Sequence, residues 1–330
     1  MIKSESICFL SCDDGFSKKY AEKVLKYFQN SKKYAIIGDD RVEEFALFLK
    51  SKQMQLTVYD FAKGSTIGVG GKGYAVFPRS FTELIDVVDG CGARKIPYRV
   101  LGNLSNVLPP EKDEKTVYIL TKRLSGITMG EAPLVYAGVS SGELLKACKK
   151  YGKLGAEFLA GIPCTVGGAA YMNAGVGGRY FSEIVRSVIV YEDGCLRTYP
   201  KEECGYAYKR SRFMSGGVIL GVVLDLKDGT PSLVQEEIAA QLQRRAHLPK
   251  GRSMGCVFKN PEGEVAGKLI EGAGLKGLRI GGAVVSEQHA NFIINDQNAT
   301  SLDVRLLIEK IQEAVYQKYG VHLTEEIEYL

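Results

Sequence analysis

Clusters of metal-binding side chains are missing from this sequence. It has only three histidines, at positions 247, 289 and 322. Among its eight cysteines only Cys8 and Cys12 are closely spaced, and no second pair completes a zinc site. We therefore expect no metal centre, and we interpret the cysteines as reduced thiols.

Long apolar runs are absent as well. The first residues hold no apolar stretch long enough for a signal peptide, and no later window approaches the roughly 20 apolar residues that a membrane-spanning helix needs. This pattern predicts a cytoplasmic protein that does not interact with membranes.

Neither sign of charge is in large excess. Lysine and arginine number 43 against 38 acidic residues, which gives a net charge of +5. This excess is too weak to indicate nucleic-acid binding, but it suits an anionic small substrate. With 45% hydrophobic and 25% charged residues, the chain has the composition of a soluble globular protein.

Secondary-structure signals predict an α+β fold. The first 60 residues hold an apolar run at 7–10, a helical pattern over 20–28, a short strand at 35–37 and a helix that begins at Asp40. Further strands are predicted at 74–77, 98–101, 117–120, 133–137, 188–191, 218–226 and 291–295, and further helices from Ser80, Ser140 and Ser232 and over 265–271 and 301–319. Because strands outnumber helices, much of the sheet should be antiparallel.

A glycine motif at residues 68–73 satisfies the dinucleotide fingerprint G-x-G-x-x-G. That fingerprint requires a helix to begin at its last glycine, whereas here a strand pattern and Pro78 follow. The motif therefore does not support a Rossmann fold, although its glycines leave room for a backbone to approach phosphate.

Small residues and glycines alternate with single apolar residues between Gly161 and Gly175. Such a stretch can pass beneath a flat ligand and offer it backbone amides and the carboxamide of Asn173. A tight loop between two sheets explains the composition equally well, so both interpretations stay open on composition alone.

Three motifs, taken in order, resemble the UDP-N-acetylenolpyruvoylglucosamine reductase family. They are AGIPCTVGGAAYMNAG at 160–175, LGNLSNVL at 101–108, and GCVFKNP from Gly255 followed by GLKG and IGGA. The resemblance implies a two-subdomain FAD-binding module of the PCMH/VAO type followed by a C-terminal α/β substrate domain. It places the module at 61–122 and 123–227 and the substrate domain at 228–330, after a small α/β extension over 1–60 that lies outside the match.

The resemblance also implies which residues bind FAD. They are Gly102, Asn103, Leu104, Ser105 and Asn106 in one loop, and Gly161, Ile162, Pro163, Thr165, Val166, Gly167, Gly168, Asn173 and Gly175 in the other. Three departures from the family pattern touch this site: Leu104 and Cys164 stand where glycines are usual, and Val176 opens a Val-Gly-Gly segment in place of Ala-Tyr-Gly. Leu104 is the most demanding, because a left-handed backbone costs a leucine about 1 kcal/mol or more.

The implied reaction is reduction of the enolpyruvyl ether of a UDP-amino sugar to UDP-N-acetylmuramate, by NADPH through FAD, for peptidoglycan synthesis. Hydride reaches the vinyl group, so a proton donor and a cation facing the carboxylate are needed. Cys256 stands where the family donor is usually serine, and Glu326 matches the family's catalytic glutamate. For the cation, Lys209 aligns with the family arginine and Arg210 is the alternative; on a strand these two side chains would point to opposite faces.

Asn260 and His289 match positions that contact substrate in the family, and Tyr208, Arg210 and His247 are expected to contact substrate as well. Arg244, Arg245, Lys250 and Arg252 could meet a diphosphate, although a solvated helix face explains the first two equally well. The short passage before Cys256 predicts the shorter family type, without an inserted capping loop. A monomer is expected. The rival hypotheses are a flavin oxidase of the same fold that acts on another alcohol or sugar, and a non-catalytic sensor of flavin or UDP-sugar.

Overall fold

A computed structural model describes residues 40–330. The apolar run at 7–10, the helix over 20–28 and the strand at 35–37, like Cys8 and Cys12, lie outside these described residues. The first described element is helix α1, Asp40–Ser51, which begins where the sequence predicted it.

The first sheet has four strands in the order β1-β2-β5-β3. Strand β1 (Thr57–Asp60) leads into the short helix α2 (Phe61–Gly64) and pairs antiparallel with β2 (Lys72–Val76). Helix α3 (Phe81–Ala93) joins β2 to β3 (Tyr98–Leu101), and both strands run parallel to β5 (Val117–Leu120). The glycines at 68–73 thus lead into a strand, so they lack the helix N-terminus that a Rossmann site requires.

The second sheet is antiparallel, in the order β12-β11-β13-β7-β6. Its strands are β6 (Ile127–Thr128), β7 (Leu134–Tyr136), β11 (Val185–Glu192), β12 (Cys195–Pro200) and β13 (Val218–Leu224). Helix α4 (Ser141–Tyr151) begins at the capping box that Ser140 forms with Glu143. Helix α5 (Val166–Met172) contacts β13, which brings the glycine-rich segment against this sheet.

The C-terminal part combines helices with a small antiparallel sheet. Helix α6 (Pro231–Arg244) leads into it, followed by α7 (Ala266–Gly272), strands β15 (Arg279–Ile280), β16 (Ala283–Val285) and β17 (Ile293–Asn295), and the long helix α8 (Ser301–Tyr319). The helix predicted over 301–319 is confirmed as α8, and its buried residues include Val304, Leu307, Ile308, Ile311 and Val315 at helical spacing.

The end of the chain returns to the first part of the fold. Strand β18 (Glu328–Tyr329) pairs parallel with β4 (Val107–Leu108), directly after the loop 102–106. One apolar cluster joins Ile67, Val69 and Leu108 to the core of the C-terminal part. The other two-stranded pairs are β9 (Gly175–Val176) with β10 (Arg179–Tyr180), and β8 (Lys153–Leu154) with β14 (Lys227–Asp228). Within residues 40–330, no helix is both long and apolar enough to cross a membrane.

Candidate functional site

The two predicted cofactor loops lie against each other. Nδ2 of Asn103 donates a hydrogen bond of 2.8 Å to the carbonyl of Pro163. A side chain at Gly102 would not fit, because its Cβ would lie 2.3 Å from Oγ1 of Thr165. Two segments that are distant in sequence therefore form one surface, and glycine is required where they meet.

Leu104 has the left-handed backbone that its position in the loop predicts, with φ of 56°. Its side chain is buried in an apolar cluster with Phe61, Tyr118 and Leu120. A left-handed conformation costs a residue with a Cβ about 1–2 kcal/mol, whereas burial of a leucine contributes about 1.5–3 kcal/mol. Burial thus offsets the strain, which explains how leucine is tolerated here.

The segment from Gly161 to Gly168 is held by its own hydrogen bonds. The N–H groups of Val166 and Gly167 donate to the carbonyls of Val139 and Ala137, each over 2.8 Å. Oγ of Ser141 donates to the carbonyl of Ile162 over 2.6 Å. These three bonds anchor the segment to the residues that follow β7 and to α4, so this side of the site is fixed before any ligand binds.

Asn173 ends helix α5 in a left-handed conformation and is buried. Its Nδ2 donates to the carbonyl of Ala207 over 2.9 Å, and its Oδ1 accepts from the N–H of Ser182 over 3.0 Å. The carboxamide therefore holds the neighbouring segment 207–210 in place. Its assignment as a flavin ligand stays a prediction.

The segment that carries Lys209 is a tight turn, and the expectation of a strand there is wrong. Ala207 and Arg210 exchange two backbone hydrogen bonds of 3.1 and 3.2 Å, and Lys209 has φ of 52°. The turn closes locally because it is fixed on both sides, by Asn173 at Ala207 and by the hydrogen bond of 2.6 Å from Oγ of Ser211 to the carbonyl of Tyr171.

The turn directs the side chains of Lys209 and Arg210 to different parts of the structure. Nζ of Lys209 lies 2.7 Å from Oε1 of Glu326, and both side chains are mostly buried. Arg210 is exposed and lines a separate open cavity of about 410 Å³, whose lining residues do not include Lys209, Cys256 or Glu326. Of the two candidate cations, Lys209 is therefore the one that reaches the predicted glutamate.

Cys256 lies close to this ion pair. The strand-like segment after it is bonded to the C-terminal tail, since the N–H of Glu326 donates to the carbonyl of Val257 over 2.7 Å. Burial raises the pKa of the Cys256 thiol to about 11, and the carboxylate of Glu326 acts in the same direction against the opposing charges of Lys209 and Arg245. The fold thus brings together all three residues that were predicted to be catalytic, and it keeps the thiol protonated at neutral pH.

The predicted substrate contacts occupy different surroundings. Tyr208 is exposed, and its hydroxyl accepts a hydrogen bond of 3.2 Å from the N–H of Asn260. Oδ1 of Asn260 in turn accepts from the N–H of Ala266 at the start of α7, over 3.1 Å. These bonds fix Asn260 beside the turn that carries Lys209, and its role as a substrate contact stays a prediction.

The two predicted histidines differ in their surroundings. His247 is exposed, whereas His289 is half-buried with its ring 4.9 Å from that of Phe292. Burial lowers the pKa of His289, and the charge of His247 lowers it further, while the backbone partly opposes this shift. His289 is thereby favoured as a neutral imidazole.

Sequence reasoning missed the link between the first cofactor loop and Glu326. Nδ2 of Asn106 donates to the carbonyl of Glu326 over 3.0 Å, and the N–H of Glu328 donates to the carbonyl of Asn106 over 3.0 Å. Strand β18 is only two residues long, which is too short for a periodic pattern to reveal it.

The residues present fit a flavin dinucleotide. Within residues 40–330, the backbone N–H groups of Asn103, Leu104 and Ser105 have no protein acceptor, and a loop with a left-handed residue can direct such groups at one anion. In the other segment, Gly161 is exposed and Gly167 and Gly168 are half-buried. The loop thus offers unpaired backbone amides that suit a phosphate, and the glycines of the segment leave room for a flat ligand to approach.

Comparison with known proteins agrees with this reading of the site. A family model described as an FAD binding domain matches residues 73–198, and one described as the C-terminal domain of UDP-N-acetylenolpyruvoylglucosamine reductase matches residues 244–330. Fold and site thus define an FAD-binding protein of the two-subdomain type with an added C-terminal domain.

Individual relatives extend the match over most of the chain. UDP-N-acetylenolpyruvoylglucosamine reductase of Streptococcus pneumoniae is 36% identical over 84% of this chain and 93% of the relative, and that of Moorella thermoacetica is 38% identical over 76% and 84%. The crystal structure of the Thermus caldophilus reductase superposes with a TM-score of 0.73 at 35% identity, over 84% of this chain and 99% of that one. The chain belongs to the UDP-N-acetylenolpyruvoylglucosamine reductase family, which confirms the resemblance and the fold class predicted from the sequence.

Proposed function

We propose that this chain is an FAD-dependent reductase that converts UDP-N-acetylglucosamine enolpyruvate to UDP-N-acetylmuramate with NADPH, in peptidoglycan precursor synthesis. The observation that carries the proposal is the Lys209–Glu326 ion pair of 2.7 Å beside a thiol whose pKa is raised to about 11. Addition of hydrogen to an enolpyruvyl group needs a cation and a protonated acid in one place, and this site supplies both.

FAD, when bound, accepts hydride from NADPH and supplies it to the enolpyruvyl group. The residues proposed to hold it are those of the loop 102–106 and the segment 161–175. The hydrogen bond from Asn103 to Pro163 fixes the two segments against each other, and Gly102 approaches Thr165 closely. The cofactor therefore meets a binding surface that needs little reorganisation, which places the reacting groups at low entropic cost.

Cys256 is the proposed proton donor. A thiol with a pKa near 11 holds its proton through the neutral range, so the acid is present in the form that the reaction consumes. The thiol does not readily lose its proton to solvent, because burial and the carboxylate of Glu326 both disfavour the thiolate.

Lys209 is the proposed cation for the substrate carboxylate, and Glu326 is the group that orients it. A lysine ammonium has three donors, so a carboxylate can bind Nζ while Glu326 keeps the side chain in position. As negative charge moves onto the carboxylate during hydride addition, the fixed ammonium stabilises it. Glu326 also lies near enough to Cys256 to influence its protonation.

One anaerobic experiment tests the proposal. The FAD-loaded protein should be yellow, should be bleached by NADPH, and should recover its colour on addition of the enolpyruvyl sugar nucleotide, with a product two hydrogens heavier. Failure to recover with the sugar, followed by recovery once oxygen is admitted, would indicate an oxidase of another substrate. A preparation that binds flavin or UDP-sugar but never passes through the cycle would indicate a sensor.

A further inference from the structure

Two adjacent arginines at the end of helix α6 differ in their surroundings. Arg244 is exposed, whereas Arg245 is half-buried. Nη2 of Arg245 donates to the carbonyl of Gly161 over 3.4 Å, and a Cβ built on Gly161 would lie 3.2 Å from Nε of the same arginine. The sequence alone did not distinguish these two arginines, whereas the structure shows that they differ in exposure and in contacts.

Arg245 also lies near the predicted proton donor. Its positive charge is one of those that lower the pKa of the Cys256 thiol against the effect of burial. The guanidinium therefore lies within electrostatic range of Cys256 while it contacts the first residue of the 161–175 segment. It borders both the cofactor surface and the acid.

This guanidinium has no carboxylate partner. Among residues 40–330, no Asp or Glu lies within ion-pair distance of Arg245, in contrast to Lys209 with its partner Glu326. Burial lowers the pKa of Arg245, which reflects the unfavourable removal of a charge from water. The half-buried guanidinium is therefore free to meet an anion that arrives with a ligand.

We propose that Arg245 stabilises the negative charge that FAD acquires on reduction, and that it is an electrostatic determinant of the flavin potential at this site. The inference rests on the proposed FAD site. Hydride transfer from NADPH to FAD gives NADP⁺ and FADH⁻. The flavin thereby receives two electrons and one proton, and its ring system gains one negative charge. A cation beside the 161–175 segment favours this reduced form over the neutral oxidised form.

The test compares Arg245→Gln with Arg244→Gln in the FAD-loaded protein. The two variants lose the same charge from neighbouring positions, one half-buried at the cofactor surface and the other exposed. We expect Arg245→Gln to lower the equilibrium constant for flavin reduction about tenfold, which is about 30 mV for a two-electron couple. Arg244→Gln should leave the midpoint potential unchanged, and Arg245→Lys should retain most of the wild-type value.

Dye-equilibrated reductive titration measures the potential without turnover, and melting temperature together with bound FAD identifies any variant that fails to fold. If Arg245→Gln has the wild-type potential, the proposal is overturned. An unchanged potential with about tenfold weaker binding of UDP-N-acetylglucosamine would show that the anion is the sugar diphosphate instead. If the wild type does not reduce the enolpyruvyl sugar, the proposed function fails, yet the potentials of the variants still decide the role of Arg245.

Discussion

Nζ of Lys209 lies 2.7 Å from Oε1 of Glu326, in a contact that joins a tight turn of the second sheet region to the C-terminal tail. The turn directs the neighbouring Arg210 away, into a separate cavity. These two adjacent basic residues therefore offer a matched pair of substitutions for assigning the cation of the reaction.

We expect Lys209→Met to slow reduction of the enolpyruvyl sugar by about 10²–10³-fold, as for loss of one group that stabilises developing charge. Arg210→Leu should have little effect, because its side chain does not reach Glu326. Rapid-mixing measurements of flavin reoxidation by the sugar provide the test, with flavin reduction by NADPH as the internal control. Equal, mild effects in both variants would remove Lys209 from the mechanism.

Cys256→Ala should separate the two half-reactions. Flavin reduction should proceed almost as in the wild type, whereas reoxidation by the sugar should slow by about 10²–10⁴-fold, the range for loss of a general acid. Cys256→Ser should restore much of the rate, since a hydroxyl also carries a proton at neutral pH. Normal reoxidation in the alanine variant would show that another group delivers the proton.

The raised pKa of Cys256 predicts its reactivity toward alkylation. The thiolate is the reactive form, so the labelling rate should rise about tenfold for each pH unit and level off only near pH 11. Iodoacetamide labelling followed by mass spectrometry can compare Cys256 with the exposed Cys195, and at pH 8 Cys256 should be the slower of the two. A plateau for Cys256 near pH 9 would contradict the assignment.

The same shift has a consequence for stability. Because the folded pKa lies above the unfolded value of 9.0, the unfolded thiol ionises first, and the contribution of this group to the free energy of unfolding falls as pH rises from 9 toward about 11. Below pH 9 that contribution is fully present. The free energy of unfolding of the wild type should therefore fall relative to that of Cys256→Ser across this window, and a constant difference in urea unfolding would contradict the shift.

The left-handed backbone at Leu104 predicts an unusual order of stability for two variants at this position. Leu104→Ala keeps the left-handed backbone strain and loses a buried side chain, so it should destabilise the protein by about 2–5 kcal/mol. Leu104→Gly loses the same side chain but relieves about 1–2 kcal/mol of strain, and it should be the milder change. Urea unfolding measures both free energies. Since glycine is ordinarily worse than alanine within regular elements, the ordinary order at this position would show that strain is negligible.

Two asparagines of the loop 102–106 have different partners. Substituting each in turn can therefore distinguish the effect of the hydrogen bond to Glu326 from the effect of the loop on FAD binding. Asn106 donates to the carbonyl of Glu326, whereas Asn103 donates to that of Pro163. We expect Asn103→Ala to weaken FAD binding while sugar-dependent reoxidation of the loaded enzyme stays near the wild-type rate. Asn106→Ala should slow that reoxidation about tenfold as well, by misplacing the carboxylate. Identical behaviour of the two variants would argue against the link.

Local sequence signals predicted the regular elements well. Ser80 and Ser140 cap the helices that they were expected to cap, and α8 spans the predicted residues 301–319. The segment 207–210 is the counterexample. Its letters match a strand motif, but hydrogen bonds from Asn173 and Ser211 hold it as a turn, and these partners cannot be read from the segment itself.

The sequence by itself determined the caps, the helical and strand patterns, the left-handed position at Leu104 and the motifs that point to a flavin reductase, since each depends on residues within a few positions of one another. Only the tertiary structure decided that Lys209 rather than Arg210 meets Glu326, that burial raises the pKa of the Cys256 thiol to about 11, and that Arg245 rather than Arg244 contacts Gly161. Ion pairing and desolvation depend on side chains that folding brings together from distant parts of the chain, and no local pattern encodes those distances.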